Sequence, residues 1–260
     1  MIKRFYLGII LMASCASPPE MKTPTRQVPP DFDTVEANAD NASGGLDAPN
    51  FGLMKIKAMI DTIRVRDDTA MMDVDVAVLN ARVYAGLTLD EKFAYNLLHP
   101  EWYGQTCDAL PDHKDLEHRI FAMLPHPSDT VNIVFSERQN DFFDHNRDSV
   151  IVLLQQVITR QNEVTTDVKS VIYEINATEL IPTLIYTYHQ KQPPRDHYIL
   201  TLLMMLMEKN EYPGFMQSIS HKKLYGSDAN KYAAYLVYNQ ANEDLIFQRA
   251  MNFYNGLPKK

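Results

Sequence analysis

The sequence predicts an all-α fold, with helical hairpins stacked as an irregular bundle or a short α-solenoid, and three observations carry that expectation. Apolar residues recur at helical spacing from Phe51 onward. Capping and stop residues punctuate those stretches. Continuous β-branched alternation between turn signals is scarce.

In chain order, "TLDEKFAYNLLHP" places Thr88 and Glu91 at capping-box spacing, Phe93, Leu97 and Leu98 on one face, and Pro100 as a stop. In "DHKDLEHR" the acids suit a first helical turn, so a helix is expected to start at Asp112. Six stretches then read as successive helices: "RDSVIVLLQQVITRQ", "DVKSVIYEINA", "TELIPTLIYTYHQK", "PRDHYILTLLMMLMEKN", "YPGFMQSISHKKLYG" and "SDANKYAAYLVYNQ". Within them "ILTLLMMLM", residues 199–207, is apolar on every side, which puts that helix inside the domain. The last helix, "NEDLIFQRAMNFYNGLP", is expected to open on Asn242 as its cap, to carry Leu245, Ile246, Met251 and Phe253, and to close at Gly256 and Pro258.

Most of these starts fall about 15 to 20 residues apart, so helix pairs recur at roughly 27 to 34 residues, inside the range of helical repeat arrays. Ile181-Pro182-x-Leu184 faintly resembles the first helix of a HEAT-type repeat. The tetratricopeptide consensus is not matched at its tryptophan and leucine-glycine positions, and ordinary hairpins of average helices give the same spacing.

The N-terminus reads differently. Lys3 and Arg4 precede an apolar run from Phe5 to Met12, followed by the small residues Ala13 and Ser14 before Cys15, the three-part layout of a secretory signal. That run falls short of the roughly 20 apolar residues a membrane span requires. Met12-Ala13-Ser14-Cys15 resembles the lipobox of bacterial lipoproteins, although Met12 departs from the usual leucine. The resemblance covers only the first 15 residues and implies cleavage before Cys15, a lipidated cysteine and, with Ala16 where the inner-membrane retention signal has aspartate, the outer membrane. More than one acyl chain gives stable anchoring. Residues 16–50 are rich in Pro, Ala, Asn, Asp and Gly and keep no period. The expected organisation is a signal over 1–14, lipidated Cys15 and a flexible linker over 15–50, and an all-α domain over 51–260. A linker of that length has a reach on the order of 30 Å.

The chain has 260 residues, 25 basic and 33 acidic, with a net charge of −8. Removal of residues 1–14 takes away Lys3 and Arg4 and no acid, which leaves about −10. A surface so acidic repels phosphates, so no nucleic-acid partner is expected, nor general attraction to anionic headgroups. With Cys15 modified, Cys107 is the one remaining thiol, and the domain must be held by its packed core rather than by a disulfide.

The densest chemistry lies over residues 97–127, with His99, His113, His118, His126, the sole tryptophan Trp102 and Cys107 among several acids. On a helix, His113 and Glu117 could chelate a metal from one face, whereas His118 points away. The inverted zinc-protease spacing is not met, a solvated helix face explains the same residues, and no metal or cofactor is assigned. Cys107 could act as a nucleophile beside His113, although Asp108 and Asp112 oppose a low thiol pKa and a lone cysteine is usually buried structure. "EWYGQTC" is read as a rigid loop whose Trp102 and Tyr103 either form an aromatic ledge for a ligand or partner or, the favoured expectation for large aromatics, plug into the core.

Asp-Thr or Asp-Ser followed by a small or branched residue recurs at Asp33, Asp61, Asp68, Asp129 and Asp148, and resembles the O-glycosylation acceptor of Bacteroidota envelope proteins; helix caps use the same residues. No glycine-rich phosphate loop or Gly-x-Ser-x-Gly elbow is present. The expectation is therefore a membrane-tethered module that binds or scaffolds an envelope protein, with a hydrolase using Cys107 and His113 as the alternative.

Overall fold

The computed structural model of the chain describes residues 52–63, 77–105, 110–126 and 131–258, with only the backbone described at 103–105 and 131–133. Cys15, the linker and Cys107 lie outside the described residues. The described elements run α1 (Leu53–Thr62), α2 (Ala81–Ala85), α3 (Leu89–Leu98), β1 (Trp102–Gln105), β2 (Arg119–Phe121) and β3 (Val131–Val134). There follow α4 (Glu137–His145), α5 (Arg147–Gln161), α6 (Thr166–Glu174), a single 3-10 turn (Thr178–Leu180) and α7 (Ile181–Gln190). The chain ends with α8 (Tyr198–Lys209), α9 (Pro213–Met216), α10 (Ile219–Tyr225), β4 (Tyr235–Val237) and α11 (Gln240–Gly256). The fold is all-α in character, with two small antiparallel ladders, β1 with β3 and β2 with β4.

Local chemistry sets most helix ends. Thr88 Oγ1 accepts from the Glu91 amide at 3.2 Å while Glu91 Oε2 accepts from the Thr88 amide at 3.0 Å, closing the capping box that starts α3. Ser136 and Gln139 form a second box at the start of α4, and Thr165 and Ser218 cap α6 and α10. At the other ends, Asn162, Asn176 and Glu211 take positive φ after α5, α6 and α8. After α6 the Ala177 amide donates to the Ile172 carbonyl at 2.9 Å, and after α8 the Tyr212 amide donates to Met207 at the same distance. Beside these two ends, Asn176 and Asn210 exchange side-chain amide bonds of 2.9 and 2.7 Å across 34 residues of sequence.

Helix α8 is the axis of the domain. Residues Ile199 to Met207 are all buried, as their unbroken apolarity requires, and the one hydroxyl among them, Thr201, donates to the Phe121 carbonyl at 2.8 Å. Around α8 pack α6, α7, α9, α11 and β2. Because α11 also returns to α7 and α9, and α3 reaches α6, elements distant in sequence meet, unlike the neighbour-only contacts of a solenoid. The architecture is an irregular bundle.

Four expectations are corrected. Residues 110–118 form no helix: Asp115 adopts φ 53°, a conformation that a helix excludes, and His113 is drawn away to distant partners. The stretch "YPGFMQSISHKKLYG" breaks into α9 and α10, because the Gln217 and Ser218 amides close turns on Pro213 and Phe215 and Ser218 starts a new cap. "SDANKYAAYLVYNQ" contains strand β4 rather than a helix, since Tyr235–Val237 finds a ladder with Arg119–Phe121. Finally, α11 opens on Asn239, whose side chain accepts from the Asn242 amide at 2.9 Å, while the Asn242 side chain donates to Val237.

Candidate functional site

Trp102 is 61% exposed, so it does not plug into the core as expected, and the segment around it is strand β1 rather than a loop. Its backbone lies opposite Val134 in the β1–β3 ladder. Together with Val78, Glu101, Ser136, Glu137 and Arg138 it lines a shallow open cleft of about 480 Å³. Val78 adds a second exposed apolar side chain. Of Tyr103, only the backbone in β1 is described.

The floor under Trp102 is rigid because Glu101 is tied in from several directions. Its side chain is 3% exposed. It pairs with the Arg138 guanidinium through Nε and Nη2, accepts from Ser136 Oγ at 2.6 Å and from Tyr95 Oη at 2.7 Å, and its backbone amide donates to Gln139 Oε1 at 2.9 Å. Burial pushes this carboxyl up, but Arg138, Ser136 and Tyr95 outweigh it and hold the group below the ordinary carboxylate range. Burial above all raises the Tyr95 hydroxyl. The Gln139 amide group donates onward to Asn96 and to the His99 carbonyl, and Arg138 lies over the Tyr84 ring at 4.4 Å.

The same network grips an extended piece of chain. His99 Nε2 donates to the Ala77 carbonyl at 2.8 Å, the Leu79 amide donates to Tyr95 Oη at 3.2 Å, and Arg138 Nη2 donates to the Leu79 carbonyl at 2.9 Å. Residues 77–80 are thereby fixed as one wall of the cleft. A carboxylate this saturated has no oxygen turned toward a substrate, so Glu101 positions the ledge instead of serving as an available base.

The other sequence candidates are dispersed. His113 stacks on Phe121 with centroids 3.9 Å apart; its Nε2 donates to the Tyr232 carbonyl at 3.1 Å, which leaves Nδ1 to accept from Tyr198 Oη at 2.8 Å. Neither nitrogen can activate a thiol without breaking one of these bonds. Burial is the main cause that pushes this imidazole down. His118 is exposed beside Glu117, and His99 belongs to the cleft wall. Among the described residues, no three His, Cys, Asp or Glu converge as a metal site. Of the five Asp-Thr or Asp-Ser copies, two fall on described residues: Thr62 ends α1 and Ser149 sits in the first turn of α5, both exposed.

Sequence reasoning missed the Glu101–Arg138 pair, since no local pattern joins residues 37 positions apart. The capping-box spacing of Ser136 and Gln139 was a readable signal for the helix that carries Arg138. A second buried carboxylate was missed as well. Glu243 accepts from Tyr188 Oη at 2.6 Å, Tyr238 Oη at 2.8 Å and Gln240 at 3.0 Å, and lies 3.4 Å from Arg195.

Fold and site together define a helical domain with an exposed tryptophan, Trp102, above a hydrogen-bonded frame. No protein-family model, curated protein or solved structure matches the chain.

Proposed function

We propose that the chain is a bacterial envelope lipoprotein, anchored to the outer membrane through lipid on Cys15, whose acidic all-α domain binds or scaffolds an envelope protein. The observation that carries the binding half is Trp102, exposed to 61% above a frame locked by Glu101, Arg138, Ser136 and Tyr95. An exposed tryptophan on a frame that does not need to be ordered on binding is the economical form of an interface anchor. The membrane half rests on the lipobox-like Met12-Ala13-Ser14-Cys15 and the signal-like residues before it. A tether of this reach raises the local concentration of the domain near one membrane, so a modest interface suffices. Among the described residues no helix is long and apolar enough to cross a membrane.

The test is crosslinking in intact membranes followed by mass spectrometry, with Cys15→Ala and Trp102→Ala alongside the wild type. A stoichiometric protein partner that is lost in both variants supports the reading. A wild type that fails to incorporate a labelled fatty acid ends the tether, and a partner captured equally by Trp102→Ala ends the anchor.

A further inference from the structure

The acidity of the chain is not uniform. From Pro213 to Val237 the sequence holds Lys222, Lys223 and Lys231 against the single acid Asp228. This stretch holds α9, α10 and β4, with Lys231 between the last two; α10 packs on both α9 and β4, and β4 pairs with β2, whose Arg119 adds another cation. All three lysines are exposed, and among the described residues none makes an ion pair.

Two tyrosines set the geometry of this face. Arg119 lies 4.4 Å from the Tyr235 ring centroid and Lys223 lies 5.8 Å from it, while Lys231 lies 5.5 Å from the Tyr232 ring. Arg119 is also bound to Asp115 at 2.9 Å, so the unneutralised charge is carried by the lysines. At the start of α10, Ile219 is 88% exposed, more than any other large apolar residue described. It stands three and four positions before Lys222 and Lys223, hence on the same side of the helix.

We propose that α10, with the β4 edge beside it, is a surface that rests on an anionic phospholipid bilayer, with Ile219 entering the headgroup region and Lys222, Lys223 and Lys231 facing lipid phosphates. An apolar residue beside exposed lysines matches that interface, and aromatic rings with cations above them suit the same depth. The net negative charge does not forbid the contact. At physiological salt, charges more than about 8 Å away are largely screened, so local composition decides. The surface rests on the tether reading only for delivery to a bilayer; once there, it fixes which face of the domain points outward.

The experiment uses the full mature chain carrying Cys15→Ser, so that lipid cannot account for binding, and sediments it with vesicles. Phosphatidylcholine vesicles are compared with vesicles of phosphatidylcholine and phosphatidylglycerol in equal parts. Co-sedimentation is expected only with the anionic vesicles and falls as salt rises. Each lysine near such a surface strengthens association about fivefold, so Lys222→Ala/Lys223→Ala lowers it roughly 25-fold. The matched control Lys57→Ala/Arg160→Ala, on exposed sites elsewhere, leaves it unchanged, and neither pair shifts the thermal unfolding midpoint. Ile219→Ser weakens binding without altering its salt dependence.

Equal binding to both vesicle types, no binding to either, or equal loss in the two double variants overturns the proposal. Capture by polyglutamate without capture by phosphatidylglycerol vesicles overturns it in favour of an acidic protein. Fatty-acid labelling of Cys15 without vesicle binding keeps the tether and removes this surface, whereas vesicle binding without labelling does the reverse.

Discussion

Glu101 and Arg138, 37 positions apart in sequence, meet in the floor of the Trp102 cleft, joined through both Nε and Nη2 of the guanidinium. Removal of one partner strands the other charge. Arg138→Met is therefore expected to destabilise the domain by about 3 kcal/mol, and Glu101→Gln/Arg138→Met by less than the sum of the single changes. Urea unfolding of the four proteins measures this, and additive losses would show that the pair is not coupled.

His113 makes stability depend on pH. Its folded pKa is depressed, so below the unfolded value of about 6.5 the unfolded chain binds the proton first. Stability is complete above that pH and falls as the pH drops from there toward the folded pKa. His113→Gln, which can keep a donor and an acceptor, should flatten the melting temperature between pH 7 and pH 5. An unchanged slope in the variant would assign the effect to other groups.

Glu243 of α11 is joined to α7 through Tyr188 and to the end of β4 through the next residue, Tyr238. Burial pushes its carboxyl up, but the two tyrosines, Gln240 and Arg195 more than offset this and hold it low. The contribution is present above the unfolded carboxylate range and lost as pH falls through the folded pKa. Glu243→Ala is expected to cost about 3 kcal/mol at neutral pH, because both hydroxyls lose a buried acceptor, and progressively less in acid. Chemical denaturation at pH 7 and pH 3.5 tests both statements.

Trp102 is the only tryptophan, so its fluorescence reports on one site. Its emission should already lie at a solvent-exposed wavelength in the native protein, be quenched readily by acrylamide, and shift little on unfolding. Trp102→Ala should change stability by no more than about 0.5 kcal/mol, as surface substitutions do, while partner capture is lost. A blue-shifted, protected emission would return the ring to the core.

How legible these features were depended on the distance over which each is decided. Thr88 with Glu91, and the unbroken apolar run from Ile199 to Met207, are settled within a few residues, and the structure bears both out. Asp112 was a sound local signal that lost, because Asp115 turned left-handed and His113 bonded Tyr198 and Tyr232, 85 and 119 residues away. Tyr235–Val237 carried helical spacing but found Arg119–Phe121, and a ladder partner lies beyond any local pattern.

What the sequence determined by itself was the helical character, the Thr88–Glu91 capping box and the buried axis α8, since backbone hydrogen bonds and apolar periodicity are properties of neighbouring residues. Only the tertiary structure decided that Trp102 faces solvent, that Glu101 is held by Arg138, and that Lys223 on α10 lies beside Tyr235 of β4. Those outcomes depend on which distant segments come to lie against each other, and burial and charge pairing take their energies from that contact rather than from the residue itself.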